Sequence, residues 1–162
     1  MTTVFLGLGS NIDAERNLRL AVRELRRRFA VIKLSRVYRN EAVGFDGPDF
    51  LNLVVELQTD EAIESVIREI GEIQELAGRR KSRERYVSRR LDLDLLLFGR
   101  QCVDEGTIWV PREDVLQHSF VLKPLAEIAP DYVHPQTGRT LAEHWEEFEK
   151  GGHPLTITDV IL

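Results

Sequence analysis

The chain has 162 residues, of which 43% are hydrophobic and 30% charged, and its formal net charge is −5 at pH 7. These values are ordinary for a single globular domain over residues 1–162, and they argue against general nucleic-acid binding. No run of about 18 apolar residues occurs, which argues against a membrane span. The single cysteine, Cys102, excludes an internal disulfide and fits a reducing compartment. The N-terminal residues lack the pattern of an export signal, so we predict a cytoplasmic protein.

The first half of the chain alternates between strand-like and helix-like patterns. Apolar residues recur at helical spacing in two segments, and the segment around Asn52 alternates between a leucine-rich face and a polar face. The predicted elements are a strand at 2–10, a helix at 18–29, a strand at 31–38, a loop at 39–49, a strand at 50–59 and a helix at 60–76.

A further strand at 91–98 completes the order β-α-β-β-α-β. This order predicts an α+β fold of the ferredoxin-like kind, with helices packed on one face of an antiparallel sheet and C-terminal additions. The predicted additions are a short strand at 108–111, helices at 120–129 and 140–150, and a last strand at 155–162. Pro124 is expected in or before the first turn of its helix, because proline interrupts a helix interior.

Two aspartates interrupt the apolar strand "LDLDLLLF". Alternate residues of a strand share a face, so Asp92 and Asp94 should project together. The opposite face should carry Leu91, Leu93, Leu95 and Leu97. Adjacent buried carboxylates need a cationic partner. The spacing is compatible with two kinds of partner: Mg²⁺, which binds carboxylate and phosphate oxygens, or nearby arginines.

The preceding segment, "GRRKSRERYVSRR", holds seven basic residues and one acid. A solvated charge run is the ordinary explanation of such a segment. Because this one leads directly into the carboxylate pair, it favours phosphoryl or pyrophosphoryl transfer. In that chemistry a metal neutralises bridging oxygens, and guanidinium groups stabilise the charge on the transferred group.

Several aromatic and amide side chains are suited to hold a planar ligand. Phe50, Tyr86 and Phe120 lie in or beside predicted loops, although aromatic residues more often pack in the core. Asn52 carries the paired donor and acceptor that read the edge of a heterocycle, and anchoring a loop is its ordinary alternative role.

With these stretches in place, the chain resembles the 6-hydroxymethyl-7,8-dihydropterin pyrophosphokinase family of folate biosynthesis over about residues 3–145. The resemblance rests on "GLGSN", "YRNEAVG", "PDFLN", "RRLDLDLLLFG" and "FVLKPLAEIAPD", taken together and in order. It implies a ferredoxin-like fold, two Mg²⁺ ions and ATP as co-substrate. The implied reaction moves the diphosphate of ATP to the hydroxymethyl oxygen of the pterin and releases AMP.

The resemblance also implies a role for particular residues. Asp92 and Asp94 would bind metal, and together with Arg79 and Arg89 they would form the catalytic set. The implied pterin contacts are Asn40, Val43, Phe50, Asn52 and Phe120. The implied nucleotide contacts are Ile67, Gln74, Tyr86, Leu95, Arg112 and His118.

Several positions depart from the family pattern. Gln74 stands where a glutamate is common, Arg112 replaces a histidine, and His118 replaces an arginine. Two alternatives to an active, monomeric enzyme therefore stay open. One is a weak or inactive paralogue that binds a pterin or a nucleotide. The other is a small RNA-binding module that uses the basic loop at 79–90, although a carboxylate pair would weaken RNA binding.

Overall fold

The computed structural model of the chain describes residues 1–42, 44–78, 91–148 and 154–162. Strands and helices alternate through the first part of the chain, and helices predominate after residue 113. The elements are β1 (Thr2–Ser10), α1 (Ala14–Arg28), β2 (Ala30–Leu34), β3 (Tyr38–Asn40), β4 (Phe50–Thr59), α2 (Ile63–Leu76), β5 (Asp92–Phe98), β6 (Val103–Glu105), β7 (Ile108–Val110), α3 (Asp114–Gln117), α4 (Ser119–Ile128), α5 (Leu141–Glu147) and β8 (Thr156–Ile157).

The main sheet is antiparallel and has the strand order β5-β1-β4-β3-β8, with β2 also paired to β4. The predicted α+β class, an antiparallel sheet with helices packed on it, is therefore confirmed. A hairpin of β6 and β7 forms a separate two-stranded sheet.

The strand predicted at 31–38 is wrong as a single element, because it is divided into β2 and β3. Ser35 is the reason: its N–H donates to the carbonyl of Val54 at 2.9 Å, and its hydroxyl accepts from the Val54 N–H at 2.9 Å. The Ser35 side chain thus replaces a backbone group in the pairing. β3 then continues to Asn40, inside the segment predicted to be a loop.

Helices cover both faces of the sheet, so the prediction that they lie on one face is wrong. α1 and α2 bury their apolar residues against Val4, Leu6 and Leu8 of β1, in a first core cluster. On the other face, α4 and α5 pack against Phe5 and Val54 in a second core cluster. This second cover is partial, and an open region remains beside it.

The alternation of β5 changes at a β-bulge. Leu6 pairs with Leu95 while Phe5 pairs with Leu97, so Leu96 is an extra residue on its strand. An extra residue reverses which side chains face each side of a sheet. Leu96 and Leu97 therefore both lie in the second core cluster, and the prediction that Leu97 shares the face of Leu93 and Leu95 is wrong.

The C-terminal elements differ from their predicted limits. α4 begins at Ser119, so Pro124 is its sixth residue and lies inside the helix rather than in its first turn. α5 begins with a capping box, in which the side chains of Thr140 and Glu143 each accept a hydrogen bond from the other residue's N–H. The last strand is two residues long. Within the described ranges, the helices are too short or too polar to cross a membrane.

Candidate active site

A cavity of about 470 Å³ opens on the face of the sheet opposite α1 and α2. Its floor comes from β1, β4 and β5, and its walls come from the residues around β3, β7, α3 and α4. Eight of the residues predicted for the site line it: Asn40, Phe50, Asn52, Asp92, Asp94, Arg112, His118 and Phe120. The sequence prediction thus brought together residues that are up to 80 positions apart.

The carboxylate pair lies beside two glycines. Asp92 pairs across the strands with Gly9, and Asp94 pairs with Gly7. Because glycine has no side chain, the side chains of Leu96 and Asn52 approach the backbone at Gly7 and Gly9, next to the carboxylates. The described part of the chain contains no cluster of three or more metal-binding side chains. Two carboxylates fit Mg²⁺, which keeps several waters and completes its coordination with phosphate oxygens.

Arg112 contributes a fixed positive charge beside this pair. Its Nη2 lies 3.7 Å from Oδ1 of Asp94, and its Nε donates to Oδ2 of Asp114 at 3.2 Å. Its backbone N–H donates to the Leu96 carbonyl at 2.9 Å, which anchors it to β5. Burial alone would lower the pKa of Arg112, but Asp94 and Asp114 raise that pKa above its ordinary value. The guanidinium therefore stays charged.

Asn40 and Asn52 form a buried amide pair on the far side of Gly9. The Asn52 amide donates to Oδ1 of Asn40, and Nδ2 of Asn40 donates to the Glu41 carbonyl at 3.0 Å. A Cβ at Gly9 would lie only 2.7 Å from Oδ1 of Asn52. Gly9 is thus required for the side chain of Asn52 to occupy this position.

Aromatic rings form two pairs in the cavity wall. The rings of His118 and Phe120 are stacked, with centroids 4.8 Å apart and an interplanar angle of 15°. Phe45 and Phe50 meet edge to face, with centroids 6.4 Å apart. All four side chains are half-buried, so they offer apolar surface to a planar ligand.

Three predicted nucleotide contacts lie away from this cavity. Leu95 is buried in the first core cluster and Ile67 packs against it, on the opposite face of the sheet. Gln74 is buried, and its Oε1 accepts a hydrogen bond from the Leu93 N–H at 3.3 Å. Their contact with a nucleotide stays a prediction. The predicted positions Val43, Arg79, Tyr86 and Arg89 lie outside the described residues.

Several lining residues were not predicted from the sequence. Trp109, on β7, is 42% exposed and lines the cavity, as do Phe45 and Asp114. Gly7 and Gly9 had a detectable signal, because two glycines at alternate positions of one strand leave the same face bare. Trp109 had none, since its neighbours in sequence do not reveal which side of a short hairpin faces a cavity.

The protein is of the α+β class, and its cavity combines carboxylates, a fixed arginine and aromatic walls. Residues 5–130 match the family described as 7,8-dihydro-6-hydroxymethylpterin-pyrophosphokinase, HPPK. The chain belongs to this family, as its sequence motifs predicted.

Individual relatives support this assignment. The 2-amino-4-hydroxy-6-hydroxymethyldihydropteridine pyrophosphokinase of Aquifex aeolicus is 32% identical over 145 residues, which cover 88% of this chain and 90% of the relative. The Bacillus subtilis protein of the same name is 38% identical, with 76% of each chain covered. The folic acid synthesis protein fol1 of Pneumocystis carinii is 34% identical, but the match spans only 20% of that protein.

Solved structures share the fold. Plasmodium falciparum HPPK-DHPS with pterin and p-hydroxybenzoate has a TM-score of 0.74 and 14% identity, over 90% of this chain and 43% of that chain. The same protein with STZ-DHP has a TM-score of 0.73 at 14% identity and is covered over 41% of its chain. At these identities the likeness concerns the fold alone, and this chain spans less than half of either solved chain.

Proposed function

We propose that this protein transfers diphosphate from ATP to 6-hydroxymethyl-7,8-dihydropterin and releases AMP, as a step of folate biosynthesis. The observation that carries the proposal is the arrangement of the cavity across the sheet. Asn52 on β4 and Asp92 on β5 flank Gly9 on β1. Two strand spacings, roughly 10 Å, therefore separate the backbone positions of Asn52 and Asp92, and the side chain of Asn52 lies over Gly9 between them. This arrangement suits a pterin ring whose edge contacts the amide pair and whose hydroxymethyl group points toward phosphates at the carboxylates.

The proposed reaction exchanges one bond to phosphorus for another. The hydroxymethyl oxygen bonds to the β-phosphorus while the bond from that phosphorus to the α–β bridging oxygen breaks. The pterin hydroxyl gives its proton to solvent water, and AMP departs with the bridging oxygen. Since phosphoryl transfer depends on positioning and on charge stabilisation, the protein's task is to align the two substrates.

The residues of the cavity suit this task. The Asn40–Asn52 pair and the aromatic walls are suited to orient the pterin, and Arg112 is suited to stabilise charge on the phosphates. Asp92 and Asp94 are suited to hold Mg²⁺, which when bound neutralises charge on phosphate oxygens. Arg79 and Arg89 are assigned to the transferred group by the family resemblance alone.

We also propose the ferredoxin-like arrangement for this fold, supported by the strand order β5-β1-β4 with β2 and β3 beside β4. Residues 1–162 are proposed to act as one domain, since β8 near the C-terminus joins the same sheet as β1. A monomer in the cytoplasm, without nucleic-acid or membrane partners, stays a prediction. The net charge argues against nucleic acid, the lack of a long apolar run argues against a membrane span, and the single Cys102 fits a reducing compartment.

The decisive experiment measures AMP release from Mg·ATP with and without 6-hydroxymethyl-7,8-dihydropterin. AMP that appears only with the pterin supports the proposal. Pterin binding without AMP release would identify the protein as an inactive paralogue. Release of ADP, or binding of RNA in place of the pterin, would overturn the proposed reaction.

A further inference from the structure

The three-residue strand β3 carries one half of the buried amide pair. It pairs with β4 through Tyr38↔Asn52 and Asn40↔Phe50, so its last residue lies next to the cavity. Asn40 accepts a hydrogen bond from the Asn52 amide, so the position of β3 bears on the orientation of Asn52. A strand of three residues has little pairing of its own to resist such movement.

The C-terminal tail, residues 154–162, holds the outer edge of this strand. Ile157 pairs with Tyr38, and Thr156 pairs with Arg39. Thr158 makes two hydrogen bonds to the Val37 carbonyl: its N–H and its hydroxyl both donate to that oxygen, each at 3.0 Å. The tail thus binds β3 and the residue that precedes it.

The tail is itself anchored on the C-terminal side of Thr158. The Thr158 hydroxyl accepts a hydrogen bond from the Val160 N–H at 3.2 Å, a local turn typical of threonine. Beyond that turn, Val160 and Leu162 pack against the first core cluster. The apolar residues fix the end of the tail in the core, and Thr158 joins that fixed end to β3.

The inner side of β3 is tied to α4. Tyr38 is fully buried, and its hydroxyl donates to Oε1 of Glu127. Glu127 also accepts from the N–H of Arg36 at 2.9 Å and from its Nε at 3.3 Å. Burial and the hydrogen bond to Glu127 raise the pKa of Tyr38 to about 12, so the hydroxyl remains a donor. α4 also carries Phe120, a wall of the cavity.

We propose that the tail is a positioning element for the pterin side of the cavity, with Thr158 as its principal contact. By holding β3 between β8 and β4, it holds Asn40 and thereby the orientation of Asn52. This inference rests on the proposed function for the identity of the ligand. The match to the family ends at residue 130, so the tail lies outside the part of the chain that carries the family resemblance.

The test compares three variants of the full-length protein. Thr158→Val removes the hydroxyl, Thr158→Ser keeps it, and Thr156→Val changes an exposed side chain on the same strand. Loss of one hydroxyl contact should raise KM for the pterin roughly three- to tenfold in Thr158→Val. Its KM for ATP and its kcat should stay at the wild-type values. The serine variant and Thr156→Val should match the wild type.

A second measurement follows β3 directly. Backbone amides of residues 37–40 should exchange hydrogen faster in Thr158→Val than in the wild type or in Thr156→Val. Unchanged exchange together with an unchanged KM for the pterin would overturn the positioning role. Equal increases in both KM values would overturn it as well, since they would indicate general loosening.

Failure of the proposed function would be visible separately. A wild-type protein that releases no AMP would refute the proposed reaction. The three variants would then be compared by the dissociation constant of the pterin, measured from the fluorescence of the pterin. A weaker dissociation constant with faster exchange in Thr158→Val would then support the positioning role. Unchanged values of both would overturn it.

Discussion

Arg112 lies between two aspartates, with its guanidinium 3.7 Å from Asp94 and 3.2 Å from Asp114. Of the two explanations for the carboxylate pair, an arginine partner is therefore realised for Asp94. The distance to Asp94 is that of an ion pair, and Asp94 is 40% exposed, so the contact leaves its carboxylate accessible from the cavity. Arginine pairing and metal binding are thus compatible at this site.

The carboxylate pair is expected to be essential for turnover and dispensable for folding. In Asp92→Asn or Asp94→Asn, AMP release should fall by at least about a hundredfold, because a charged ligand to the proposed Mg²⁺ is lost. The melting temperature should change by less than about 4 °C, which corresponds to about 1 kcal/mol in a chain of this size. Wild-type, Mg²⁺-dependent activity in both variants would show that the aspartates serve structure alone.

Gly9 is expected to control pterin binding through the space that it leaves for Asn52. The added methyl of Gly9→Ala would lie 2.7 Å from Oδ1 of Asn52, so the amide must move. Loss of an oriented amide contact should raise KM for the pterin by about tenfold, while KM for ATP changes less.

Gly71→Ala is the matched control for that substitution. Gly71 lies inside α2, and an added methyl group would meet no atom of the described residues within 4 Å beyond its own helix backbone and chain neighbours. Alanine in a helix interior should stabilise the protein by about 0.5–1 kcal/mol and leave both KM values unchanged. A wild-type KM for the pterin in Gly9→Ala would contradict the assigned role of Asn52.

His118 is expected to face the phosphates of a bound nucleotide. It lines the cavity together with Arg112 and the carboxylates. In His118→Arg, a guanidinium that carries a permanent charge and can bind phosphate through two nitrogens should tighten the binding of a non-hydrolysable ATP analogue at neutral pH.

His118→Gln is the matched control, because glutamine is polar but carries no charge. It should bind the analogue no more tightly than the wild type, which a direct binding titration measures. An affinity of His118→Arg equal to that of the wild type would remove His118 from the proposed nucleotide site.

His134 is expected to make stability depend on pH. Its ring is buried, and its Nδ1 accepts a hydrogen bond from the Gln136 N–H at 3.2 Å, which requires an unprotonated nitrogen. Burial first, and then the charge of His144, lower the pKa of His134 below its ordinary value. Protonation therefore favours the unfolded chain, and stability should fall as pH drops below about 6.5.

The measurement is the melting temperature between neutral pH and about pH 5.5, above the range where most carboxylates titrate. His134→Gln should show a shallower decrease than the wild type. A part of the decrease should remain, because burial also lowers the pKa of His144. Parallel decreases in the two proteins would exclude His134 as the source.

Local pattern alone was sufficient for most elements, whereas the resemblance to the family supplied Asn40, Arg112 and His118. Apolar runs predicted β1 and β5, alternation predicted β4, and helical spacing predicted α1 and α2, because each of these elements buries apolar residues. The two-residue period of a strand placed Asp92 and Asp94 on one face, where the cavity lies. Such features depend on residues that are close together in sequence.

Tertiary structure decided what depends on distant partners. The division between β2 and β3 follows from the hydrogen bonds between Ser35 and Val54. Leu97 lies on the face of the second core cluster because β5 has a bulge where it pairs with β1. The place of Trp109 in the cavity and the pairing of the tail with β3 are of the same kind. Register and side-chain contacts between strands are set by the geometry of the assembled sheet, and a one-residue shift in register reverses every side chain without altering the local pattern.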